Sequence, residues 1–169
     1  HTVRLDLNGK VRFPGTEIAI VCRHLAVATL YERLRWDADP EGQRPRAGRF
    51  SYRNFATPGA IEQAVGFEWE QTFSRLRKGS VGNHLVAVPR LGEFLGQEFG
   101  AMRIGQSRHF LLISPNHAMT LRLRLKAGPD GAPVRVIALQ DPNTTATHFR
   151  KAVTRPGALD FDIADALGP

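Results

Sequence analysis

The sequence is almost without cysteine: Cys22 is the single one in 169 residues. One thiol cannot close an internal disulfide, so a disulfide-stapled extracellular scaffold is excluded and the fold has to hold by packing. Long apolar runs are missing too. None approaches the roughly 20 residues that a membrane-spanning helix needs, and the N-terminus lacks the charged-then-apolar layout of a secretory signal, so no membrane span is expected. Acidic residues are in deficit, with 16 Asp plus Glu against 23 Lys plus Arg and a formal charge of +7. That excess suits an acidic protein surface as partner. The positive residues are scattered, however, and no base-reading motif accompanies them, so a nucleic-acid partner is not expected.

What is present is enough for a core. With 42% hydrophobic residues, the chain can bury a proper interior, and residues 1–169 are read as a single domain. Because it starts at His1 rather than Met, it is expected to be a fragment of a longer protein.

Two alternating segments, Thr2–Leu7 and Lys10–Phe13, flank Asn8-Gly9 and predict a hairpin that Pro14-Gly15 ends. Thr16–Val21 then leads into a helix from about Cys22 to Trp36, apolar over most of its length and expected to be central and well buried. Residues 37–57 have little period and read as a long loop. Thr57 as cap and Pro58 at the first helical position predict a second helix to about Lys78, weakened at Gly66. A third helical pattern covers Pro89–Met102.

After it the period switches to two. His109–Ser114, Ala118–Lys126 and Val134–Gln140 are predicted strands, the last two joined by a Gly128-Pro129-Asp130-Gly131 turn. From Thr144 a short helix through His148 and Val153 is expected. Helices followed by antiparallel strands define an α+β domain.

The lone cysteine stands where an apolar approach becomes a helix. Unpaired N–H groups and the positive end of the helix dipole favour a thiolate there. His117 opens one predicted strand and Asp141 follows its hairpin partner. The outer ends of a hairpin lie side by side, so His117 and Asp141 are expected to meet. In such a set the imidazole deprotonates the thiol and the carboxylate orients the ring.

Leu7-Asn8-Gly9-Lys10-Val11, Val21-Cys22-Arg23-His24-Leu25-Ala26 and Asn116-His117-Ala118-Met119 resemble the enterotoxin and EspL/OspD family of type III secreted effectors. The layout of the whole chain also resembles papain-fold cysteine proteases, especially the bacterial effector branch typified by YopT and AvrPphB. The resemblance implies a papain-like fold: an N-terminal hairpin and helical half with the Cys on a central helix, then an antiparallel sheet carrying His and Asp. It implies that Cys22, His117 and Asp141 form the triad of a cysteine protease without metal or organic cofactor. It further implies type III delivery into the host cytosol, cleavage of host signalling proteins in inflammatory or cell-death pathways, and ankyrin-type repeats after the catalytic domain.

One departure stands out. Papain relatives carry a Gln several residues before the Cys for the oxyanion hole, whereas positions 14–21 hold neither Gln nor Asn. The Cys22 backbone N–H supplies one donor; Asn8, Thr16 and Gln140 are the candidates for the other.

Competing readings attach to each residue. A lone Cys in an apolar run is often a buried core thiol, and Asp141-Pro142-Asn143 is ordinary turn chemistry. His24 is read as a helix-surface or core residue, poorly placed as a base. His109 is read as structural because no acid lies near it in sequence. His84 and His148 are unassigned. A zinc site drawn from Cys22, His24, His109, His117 or His148 lacks any known ligand spacing. The same triad also serves deamidation, transglutamination or acyl transfer, and the alternative of another class is a non-catalytic domain whose basic face binds an acidic protein.

Overall fold

The computed structural model describes residues 8–38, 57–65, 69–144 and 149–153. The chain divides into two compact units. The first holds residues 1–80, 109–121 and 139–148; the second holds 81–108, 122–138 and 149–169.

Among the described residues, the first unit opens with a tight turn over residues 8–10. The chain then runs out and back as a short antiparallel ribbon. Phe13 N–H donates to Ile18 O at 3.0 Å and Ile20 N–H to Val11 O at 2.9 Å, around an Arg12–Ala19 bridge. The turn between them is Pro14 to Glu17. Gly15 takes φ +67° there, a conformation costly for any residue with a Cβ. Thr16 Oγ1 donates to Phe13 O and accepts from Ile18 N–H. Pro14-Gly15 therefore turns the ribbon rather than ending it, and Lys10–Phe13 finds its pairing partner downstream. Residues 2–7, the other half of the expected hairpin, lie outside the described residues.

Helix α1, Cys22–Ala38, follows. Residues 24–30 are buried without a break, the mark of a helix covered on all sides rather than one with a single apolar stripe. It packs on α2, Pro58–Val65, and α3, Trp69–Lys78. The core cluster joins Phe13 and Ile20 of the ribbon, Leu25, Val27 and Ala28 of α1, and Ile61 of α2. Thr57 caps α2 as expected, its Oγ1 accepting Ala60 N–H at 3.2 Å. The single helix read over 58–78 is two, and residues 66–68, which contain Gly66, lie outside the described residues, as do 39–56 of the predicted loop.

A four-stranded sheet runs in the order β1 Ser107–Ile113, β2 Ala118–Ala127, β3 Pro133–Gln140, β4 Phe149–Val153. Neighbours in space are neighbours in sequence, and the connections β1–β2 and β2–β3 are too short for parallel crossovers, which makes these pairs antiparallel hairpins. At the β1–β2 turn, Ser114 N–H donates to His117 O at 2.9 Å. At the β2–β3 turn, Gly128 N–H donates to Ala132 O at 2.7 Å and Gly131 takes φ +78°. β4 corrects the expected tail helix. Phe149–Val153 pairs with β3 instead, an instance of an available sheet edge deciding the state of a short segment. Residues 145–148 lie outside the described residues.

In the second unit the third predicted helix is a 3₁₀ turn, Val88–Arg90, followed by α4, Leu91–Gly100. Its buried residues Leu91, Gly92, Leu95 and Phe99 recur at helical spacing. Arg108 of β1 pairs with Glu98, and the Arg135 guanidinium of β3 lies 5.8 Å from the centre of the Phe99 ring. Among the described residues no helix is long and apolar enough to cross a membrane.

Candidate active site

Cys22 is the first residue of α1 and is partly exposed. Val21 sits at the cap position: its carbonyl accepts from His24 N–H at 2.9 Å and Leu25 N–H at 3.4 Å. Valine has no side-chain acceptor with which to cap a helix. His24 compensates, its Nδ1 accepting Val21 N–H at 3.0 Å. This is the reach of the third helical residue back to the cap N–H, usually made by Glu or Gln. His24 is 3% exposed and meets Phe13 edge-on at 5.2 Å. Burial and the adjacent Arg23 lower its pKa from 6.5 to about 4, which keeps Nδ1 free to accept at neutral pH. His24 thus fixes the turn that presents Cys22, a role that periodicity alone does not reveal.

The β2–β3 hairpin brings its outer ends together. His117 Nε2 lies 2.7 Å from Asp141 Oδ1, the side chains 18% and 25% exposed. A carboxylate only accepts, so the shared proton belongs to Nε2 and the lone pair of the neutral ring is on Nδ1. Asp141 is held in turn: the same Oδ1 accepts Asn143 N–H at 2.8 Å. Asn8 Nδ2 then donates to Asn143 Oδ1 at 2.5 Å, across 135 positions of sequence. α1 packs against the 3₁₀ turn Pro142–Thr144 that follows Asp141.

Beside this pair, a buried polar row ties α1 to the two strands. Arg33 Nη1 donates to Thr120 Oγ1 at 3.3 Å, and Thr120 Oγ1 donates to Gln140 Oε1 at 3.4 Å. All three side chains are buried. Gln140 is therefore engaged in anchoring the residue before Asp141.

His109 differs from its sequence reading in one respect: an acid does face it. Its Nε2 is 2.7 Å from Asp37 Oδ2, at the far end of α1. At 1.5 Å per residue, Asp37 stands about 22 Å along the helix from Cys22, so this second pair does not serve the cysteine. His84 lies against Phe94, ring centres 4.9 Å apart, and His148 is outside the described residues. Among the described residues no group of His, Cys, Asp and Glu side chains is arranged to hold a metal ion.

The structure is thus an α+β chain in which the single cysteine opens a buried helix and a His–Asp pair closes the outer ends of a hairpin. The family model for the N-terminal region of the ShET2 enterotoxin matches residues 1–163, and the chain belongs to that family. Effector protease OspD3 of Shigella flexneri is 30% identical over 153 residues, covering 86% of this chain and 24% of that protein. Ankyrin repeat protein A of Escherichia coli K12 is 26% identical over 154 residues, covering 87% of this chain and 20% of that protein. The chain thus spans about a fifth to a quarter of the length of these curated relatives. No solved structure matches it.

Proposed function

We propose that the domain is a papain-like cysteine protease in which Cys22 is the nucleophile, His117 the general base and acid, and Asp141 the residue that orients the ring. The observation that carries this reading is the His117 Nε2–Asp141 Oδ1 bond: with Nε2–H spent on the carboxylate, the basic lone pair of the ring is on Nδ1. The thiol proton passes to Nδ1 as Sγ bonds to the substrate carbonyl carbon. The tetrahedral adduct then collapses, the C–N bond breaks, and the leaving amine takes the proton from His117. Water attacks the thioester by the same route, releasing the carboxylate and restoring the thiol.

Membership in the enterotoxin family and similarity to a protein named effector protease support a secreted bacterial virulence factor that cleaves host proteins. Under this reading it enters the host cytosol by type III secretion, its targets are host signalling proteins of inflammatory or cell-death pathways, and the chemistry uses no metal or organic cofactor. Incubation of the protein and its Cys22→Ala variant with a host cell extract, followed by mass spectrometry of new termini, tests this. Cys22-dependent neo-N-termini are the expected result. Intact proteins carrying deamidated or newly joined side chains would assign the same acyl-enzyme to deamidation or acyl transfer instead, and no Cys22-dependent change would overturn the enzymatic reading.

A further inference from the structure

We propose that the side-chain amide of Asn8 is the second donor of the oxyanion hole, acting with the backbone N–H of Cys22. The proposal rests on the protease reading and deepens it. When Sγ bonds to a carbonyl carbon, the C=O electrons move onto oxygen, and that charge needs hydrogen-bond donors already in place. The Cys22 N–H is one: as the first residue of α1 it has no partner within the helix. A second donor must lie beside the helix start and close to the His–Asp pair.

The structure separates the three sequence candidates. Thr16 Oγ1 is used within its own turn, donating to Phe13 O and accepting from Ile18 N–H. Gln140 only accepts from Thr120, through Oε1, and what sets its amide apart is burial: it is 2% exposed, whereas the Asn8–Asn143 bond is exposed. Asn8 differs from both because it is tied to each half of the site. The neighbouring Gly9 N–H donates to Ile20 O at 2.7 Å, which lays residues 8 and 9 alongside the segment two positions before Cys22. Its own Nδ2 donates to Asn143 Oδ1 at 2.5 Å, in the turn that holds Asp141. An amide nitrogen carries two protons; this bond uses one, and the other is available to a substrate oxygen. Gly9 takes φ +70°, which suits the tight turn that returns the chain at this point. The missing glutamine of positions 14–21 is thereby replaced by an amide from outside that segment, carried to the site by the folding back of the ribbon.

The test compares two reactions of Cys22 in the full chain. Acyl transfer from p-nitrophenyl acetate passes through an oxyanion, whereas alkylation by iodoacetamide displaces iodide from a saturated carbon and does not. The expected result for Asn8→Ala is a loss of about 100-fold in acyl transfer with the alkylation rate unchanged. Asn143→Ala, which removes the acceptor and leaves the Asn8 amide, lowers acyl transfer by a smaller factor. Equal losses in both reactions for Asn8→Ala would overturn the assignment by making Asn8 a positioning residue for the Asp141 turn, and acyl transfer at the wild-type rate would overturn it outright. Failure of the protease reading looks different: wild-type acyl transfer would then be no faster than that of Cys22→Ala, and this assignment would fall with it.

Discussion

His24 shows how much of the site hangs on one side chain that takes no part in the chemistry. It accepts the Val21 N–H and so replaces the missing cap of the helix that begins at Cys22. In the unfolded chain it titrates near 6.5, and in the folded chain near 4. Above pH 6.5 both states are neutral. As pH falls from 6.5 to 4 the unfolded chain gains a proton that the folded chain does not, so stability is lost across that window and levels off below it. The loss approaches about 1.4 kcal/mol per pH unit where the difference is complete. Replacing His24 with Gln, which also reaches back to a cap N–H, is expected to flatten Tm against pH between 6.5 and 4 relative to the wild type. An unchanged slope would place the acid sensitivity elsewhere. Asp141→Ala belongs at the same scale: without the carboxylate, Nε2 loses its acceptor, and Cys22-dependent acyl transfer is expected to fall by about 100-fold or more, measured as nitrophenolate release.

At the scale of elements, the site depends on α1 being fixed to the β2–β3 hairpin. The Arg33–Thr120–Gln140 row does this in the core of the first unit. Thr120→Val keeps the shape and deletes both hydrogen bonds of the link, at an expected cost of about 1–3 kcal/mol read as a fall in Tm. Adding Arg33→Met removes the buried charge as well, so the double variant is expected to be more stable than the sum of the single losses implies. The hairpin turn is a second lever. A Cβ at Gly128 would meet Ala132 O at 3.1 Å and Val134 Cγ2 at 3.1 Å, so Gly128→Ala is expected to destabilise the β2–β3 pairing, visible as faster amide exchange of its strands.

These elements also show which features were legible beforehand. The start of α1 at Cys22 and the β2–β3 turn follow from an apolar run ending in a helical pattern and from Gly128-Pro129-Asp130-Gly131, both local signals. The ribbon was harder because Asn8-Gly9 and Pro14-Gly15 are both turn formers, and only the pairing of Phe13 with Ile18 shows how the second is used. The fourth strand depends on an edge that β3 offers, which no pattern within Phe149–Val153 encodes.

At the scale of the whole chain, three segments far apart in sequence supply the proposed triad. His117 and Asp141 could be joined on paper because hairpin geometry is simple, and the structure puts them 2.7 Å apart. Of the supports around them, Asn8 is legible only as one of three candidate donors, and the roles of His24, Asn143 and Arg33 are not legible, since each acts through a contact made only after folding. The central claim is that Cys22 works with His117, and the alkylation of Cys22 by iodoacetamide at neutral pH tests it most directly. A working pair makes the folded wild-type thiol react faster than the same thiol in the denatured chain, with the advantage lost in folded His117→Ala. Equal rates in all three would contradict it.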